Sequence, residues 1–127
     1  MATNAAEVQP QELTVYKIFS LGSRRDHAAL FVETENNKGH LYHVTASIAY
    51  GMTFEHRVEN PTESLTFLRK ERLGTIESVP LANLEEIFGG LKPPPKQFDD
   101  RFKRIDPTMP LLDCRTWTKD ALELLIK

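Results

Sequence analysis

His27-Ala28-Ala29-Leu30-Phe31-Val32-Glu33 is followed, after Asn36-Asn37-Lys38-Gly39, by His40-Leu41-Tyr42-His43-Val44-Thr45. The first run is apolar almost throughout and too short for a typical helix, which is the pattern of a strand buried on both faces. The Asn-Asn-Lys-Gly segment supplies residues that tolerate a left-handed turn, so the two runs read as a hairpin. Side chains alternate along a strand, and Leu41, His43 and Thr45 therefore share one face of the second arm.

The pattern extends in both directions from this hairpin. Leu13 to Ser20 carries β-branched and aromatic residues and stops at the Gly22-Ser23 turn signal, as a strand does. Ala46 to Gly51 reads as a bend, and Gly51 to His56 alternates apolar and polar positions as a fourth strand. Glu59 to Ser64, broken by Pro61, reads as a loop. Leu65 to Ser78 reads as one or two further strands interrupted at Gly74. Leu81, Leu84, Ile87 and Phe88 fall at helical spacing, with Gly89-Gly90 as a stop. Pro93-Pro94-Pro95 forces an extended path into a wrapping loop, Lys96 to Pro110, which has no clear period.

The last element is a helix, because Cys114, Trp117, Ala121, Leu124 and Leu125 recur on one face of a 3.6-residue period. Asp113 is a good N-cap, which places Cys114 in the first turn. The expected fold is α+β: an antiparallel sheet of about five to six strands packed with a short helix and a C-terminal helix. Residues 12–127 form one domain behind a flexible arm, residues 1–11.

At 127 residues the chain has room for one core, and 40% hydrophobic content is enough to fold it. A formal charge of −2 lacks the basic balance that draws a surface to phosphate backbones, so nucleic acid is not an expected partner. No apolar run approaches the ~20 residues that span a bilayer, and the start of the chain carries neither a secretory nor a transit pattern. The lone cysteine excludes an internal disulfide framework and fits a reducing compartment. The expected location is cytoplasmic.

A thiol in the first turn of a helix lies near unpaired N–H groups and the positive end of the dipole, which favours the thiolate. A nucleophilic cysteine also needs a base, and His27 opens a strand where its ring can be held steady. His43 faces His27 across the hairpin and can orient it as a third member. The same residues also have a purely structural reading, since Cys114 sits on the apolar stripe of its helix and two strand histidines can simply hydrogen-bond each other. Asp113 beside the sulfur would oppose thiolate formation. His27, His40, His43, His56 and Cys114 include metal-ligand types, but His40 and His43 point to opposite faces of their strand. No metal and no cofactor are expected.

The order of these motifs, a hairpin bearing His27 and His43 before a helix beginning Asp113-Cys114-Arg115-Thr116-Trp117, resembles the permuted papain-like group. That group comprises the lecithin retinol acyltransferase-like and NlpC/P60-like domains. The chain also resembles a set of small, uncharacterised fungal proteins over Leu13 to Leu125. The shared features are a strand histidine, a His-Val-Thr segment, a Gly-Met-x-Phe-Glu segment, a Pro-Pro-Pro loop and a Cys-x-x-Trp helix. The first resemblance implies a permuted papain-like fold in which Cys114 is the nucleophile, His27 the base and His43 the supporting polar residue, acting through an acyl-thioester. Ala28 and Asp113 depart from the acyltransferase-like pattern, which has an aromatic residue and an asparagine there.

The expected function is therefore a cysteine-dependent hydrolase or acyltransferase-like domain acting on an amide, ester or thioester. Trp117, Tyr42 and Arg115, close to these residues in the chain, are the expected substrate contacts. The alternatives are a non-catalytic module on the same fold that binds a small molecule or peptide, and an interaction protein whose hairpin edges pair with a second copy of itself or with a partner.

Overall fold

A computed structural model describes residues 12–22, 26–47, 51–77 and 83–125. The expected arm over residues 1–11, the tip of the bend at 48–50 and the first residues expected in the short helix lie outside the described residues. Five strands, β1 (Glu12–Ser20), β2 (His27–Glu35), β3 (Lys38–Ser47), β4 (Gly51–Glu59) and β5 (Phe67–Glu77), precede two helices, α1 (Leu84–Gly89) and α2 (Cys114–Leu125). The strands form one open antiparallel sheet in the order β4-β3-β2-β1-β5. No helix among the described residues is long and apolar enough to cross a membrane.

Antiparallel pairing follows from short connections, because a two-residue turn brings neighbouring strands back on themselves. The β2–β3 turn closes at Glu35↔Lys38, with Asn37 at φ 62, and the Asn37 N–H donates to Glu33 Oε2 at 2.8 Å. Gly39 faces the Val32 carbonyl so closely that any Cβ would collide. The expected interruption at Gly74 is a bulge within one continuous strand. Val15 pairs with Gly74 and Tyr16 with Arg72, leaving Leu73 as the extra residue beside Gly74 at φ 155.

Alternation sorts the sheet into two faces. Leu13, Val15, Leu30, Val32, Tyr42 and Val44 point to one of them and pack against Leu84 and Phe88 of α1 and Cys114, Trp117 and Ala121 of α2. The residues between them in sequence, Ile18, Ala29, Phe31 and Leu41, form a second cluster on the opposite, helix-free face. Burying each large apolar side chain contributes about 1.5–3 kcal/mol, so both clusters stabilise the sheet.

Asp113 caps α2, its Oδ1 accepting from the N–H groups of Arg115 and Thr116 at 3.0 and 3.1 Å. The expected apolar stripe is completed by Thr118, which is fully buried, while Leu124 is 40% exposed. A hydroxyl can enter the core because it has two acceptors, the Cys114 carbonyl at 2.7 Å and the Ala28 carbonyl at 3.2 Å. The 96–110 loop is held by its own bonds. The Gln97 amide accepts from the Leu112 N–H at 2.7 Å and donates to the Leu112 carbonyl at 2.8 Å, and the Arg104 guanidinium donates to the Met109 carbonyl.

The strand order places β4 and β5 at opposite edges, so residues 60–66 must travel from one edge to the other. Pro61, Ser64 and Thr66 line a cavity together with Ile18, Ala29, Leu41 and His43, which puts this crossover on the helix-free face. The Leu21 N–H donates to the Thr66 carbonyl at 2.9 Å and fastens its far end.

Candidate functional site

The β2–β3 ladder runs from Glu35↔Lys38 to Leu30↔Tyr42, and beyond that point side chains take over the connection. On the helix-free face His27 Nε2 lies 2.8 Å from His43 Nδ1. The other nitrogen of His43, Nε2, lies 2.7 Å from Glu55 Oε1 on β4, the residue paired with His43 in the β3–β4 register. Three strands thus supply one chain of hydrogen bonds, Glu55 to His43 to His27. The ring centroids of the two histidines stand 5.0 Å apart, close to the N···N distance plus the two ring radii, so the nitrogens point straight at one another. Lone pairs aimed head-on share a proton and do not converge on a common metal ion.

Protonation follows from the donor inventory. An ionised carboxylate only accepts, so His43 Nε2 carries a hydrogen toward Glu55. When both rings are neutral, His43 Nδ1 must accept and His27 Nε2 must donate, which leaves His27 Nδ1 with a lone pair. Burial, the adjacent His43 and the Arg57 guanidinium push His27 down to about 4. The hydrogen bond from His43 holds the Glu55 carboxyl below its usual range, with Arg57 adding to it and burial opposing. His43 is 5% exposed and His27 half-buried.

His27 and His43 line a cavity of about 140 Å³ with Ile18, Ser20, Arg57 and Ser64 among its other walls. Arg57 Nε lies 3.3 Å from Glu55 Oε1 and 3.6 Å from Glu59 Oε1 at the rim. A shallower depression of about 700 Å³ lies beside the β2–β3 turn, lined by Glu35, Asn36, Lys38, Glu59, Asn60, Glu63 and Ser64. It contains no imidazole.

Cys114 stands elsewhere. Its side chain belongs to the helix-side cluster with Trp117 and Ala121, it is 8% exposed, and its thiol is free. Burial pushes the thiol up; a backbone hydrogen bond from Ala28 lowers it, and the Asp113 charge raises it. The helix dipole alone predicts the opposite direction, and burial outweighs it. The structure brings His27 and His43 together as the alternation of the hairpin implies, adds Glu55, and sets Cys114 against the other face of the sheet. The start of α2 meets β2 at Ala28, the residue next to His27.

The expected substrate contacts separate in the same way. Trp117 and Tyr42 are 2% and 1% exposed in the helix-side core, while Arg115 is exposed on α2. The Trp117 indole N–H donates to the Leu91 carbonyl at 3.3 Å. Burial and the nearby Glu85 carboxylate push the Tyr42 phenol up to about 12.

A second histidine pair occupies the helix side. His40 Nδ1 lies 2.8 Å from His56 Nε2, and His56 Nδ1 lies 3.4 Å from Glu85 Oε1 of α1. The Tyr42 ring stacks on His56 with centroids 4.5 Å apart. His40 is lowered by burial and by His56, with Glu85 opposing. Among the described residues no group of three His, Cys, Asp or Glu side chains is placed to hold a metal ion. Glu55 and Glu85 are the site residues that sequence reasoning missed. The alternation that put His43 beside His27 extends to Glu55 once the β3–β4 register is known, whereas nothing local marks Glu85.

The chain belongs to a family of unknown function, DUF6540, which it matches over residues 13–127. No curated protein and no solved structure matches it.

Proposed function

We propose that this DUF6540 member is a binding module that seats one polar group of a small molecule or peptide in the cavity beneath the 60–66 crossover. The observation that carries the reading is the Glu55–His43–His27 chain, which ends on a ring lining that cavity. A carboxylate that fixes one imidazole, which fixes the next, holds the lone pair of His27 Nδ1 in a set direction without a metal. A general base works best with a pKa near the operating pH, and His27 at about 4 is too weak a base to favour proton abstraction. As a neutral, pre-oriented acceptor it is well suited to recognition. The cavity is below the ~300–1,000 Å³ of sites that enclose a drug-sized ligand, so it accommodates a single functional group while the rest of the ligand stays outside. A reducing, cytoplasmic setting belongs to this reading and is supported by the single free cysteine.

Ligand-observed NMR with a mixture of small charged and uncharged fragments tests it, using the wild-type chain and His43→Phe. Fragments that contact the wild type and lose contact in the variant support the module. No contact, or contact indifferent to the substitution, contradicts it.

A second reading is the permuted papain-like thiol hydrolase or acyltransferase. It is supported by the order of His27, His43 and Cys114 in the chain and by the approach of the α2 start to Ala28. It requires Cys114 Sγ and the His27 ring on one side of the sheet, an arrangement different from the one described above.

A further inference from the structure

We propose that the group taken by the cavity is a neutral carboxamide, its N–H meeting His27 Nδ1 and its carbonyl oxygen meeting Arg57. The inference rests on the binding-module reading and narrows it to a chemical class.

Each wall of the cavity removes one alternative. His27 offers a lone pair and therefore asks for a donor. Arg57 faces the two glutamates through Nε, and its terminal N–H groups ask for an acceptor. A carboxylate would satisfy Arg57 but place its oxygens against the His27 lone pair and within the field of Glu55 and Glu59. An alkylammonium would satisfy His27 and Glu59 but meet the guanidinium. An uncharged group that both donates and accepts leaves neither wall unpaired, and a carboxamide does so from two separate atoms, N–H toward one wall and C=O toward the other, where a hydroxyl must serve both walls from a single oxygen. The Arg57 side chain is 52% exposed, so water relieves part of any mismatch on that wall, and the discrimination falls mainly on the His27 lone pair and the charges of Glu55 and Glu59.

Size agrees with this class. A water molecule's share of liquid volume is about 30 Å³, so a cavity of about 140 Å³ holds four to five such volumes. An amide of two or three carbons, with four or five heavy atoms, fills that space. Leu21, 60% exposed and part of the cavity wall, offers apolar surface to whatever the amide is attached to. A glutamine or asparagine side chain of a peptide and a small aliphatic amide present the same group.

The test compares propionamide, propionate and propylamine, three probes of nearly equal size, at pH 7. Each is titrated into the full chain while the ring nitrogens of ¹⁵N-labelled histidines are followed. Propionamide is expected to shift His27 Nδ1 and to bind at least ten times more tightly than either charged probe. Arg57→Gln is expected to weaken propionamide, and His27→Phe to abolish its effect on His43. Tighter binding of propionate or propylamine, or equal binding by all three, overturns the carboxamide assignment and leaves the binding module standing. No shift with any probe overturns both.

Discussion

His43 Nδ1 lies 2.8 Å from His27 Nε2 at the point where the β2–β3 ladder has ended, so a side-chain bond replaces the backbone bonds that would otherwise join the strands there. His43→Phe keeps the bulk of the ring but removes the partner of both His27 and Glu55. Both partners reach some water, so the expected loss is about 1–2 kcal/mol, read as a lower urea midpoint with an unchanged slope. A change below about 0.3 kcal/mol would show that the pair contributes nothing to the fold.

Acid should destabilise the chain before its carboxylates are all protonated. His27 sits at about 4 in the folded state against an ordinary 6.5, so the unfolded chain binds more protons between those values. Stability contributed by neutral His27 is present above about pH 6.5 and is lost as pH falls toward 4. His40 is also lowered, and its contribution has the same sign. Glu55 is lowered as a carboxylate, and its contribution disappears as pH falls through its folded value. The groups around them are Arg57 and Glu59 on the helix-free face and His56, Tyr42 and Glu85 on the other. Allowing for the partial exposure of His27, its share is on the order of 1–2 kcal/mol. Urea unfolding at pH 7, 6, 5 and 4 should give a falling midpoint, and His27→Gln should flatten the part of the curve between 6 and 5.

Cys114 should alkylate slowly. A thiol that is 8% exposed and raised by burial presents little thiolate, so iodoacetamide at pH 7.5 is expected to react much faster after unfolding in urea than with the folded chain. His27→Ala should leave the folded rate unchanged, because the ring lies across the sheet. A fast folded-state reaction that is lost in His27→Ala would favour the thiol-enzyme reading.

Thr118→Val tests the seam between α2 and the sheet. The substitution preserves shape and leaves the Ala28 carbonyl without its hydroxyl donor, an expected cost of about 1–3 kcal/mol. Thr53→Val, at an exposed position on β4, should stay within about 0.5 kcal/mol of wild type. Equal effects at both positions would mean that the buried hydroxyl bonds contribute nothing.

Local pattern carried the strands and α2 well, because alternation, the Asn36-Asn37 turn and the Asp113 cap are short-range signals. The contact between His27 and His43 was legible for the same reason, since both lie on one hairpin. The position of Cys114 was not. Its apolar stripe showed that α2 docks on the sheet, but which face receives a helix depends on where the 60–66 crossover passes, and that is set by the order of strands far apart in the chain. Glu85 was invisible for a similar reason, because a short helix brings it to His56 only through the packing of Leu84 and Phe88.

His27 presents a neutral lone pair at Nδ1, held there by His43 and Glu55. Long-range ¹H–¹⁵N correlation of the histidine rings at pH 7 reads it directly. The expected spectrum shows a hydrogen on Nε2 and none on Nδ1 for both His27 and His43. A hydrogen on His27 Nδ1, whether from the other tautomer or from a charged ring, would contradict it.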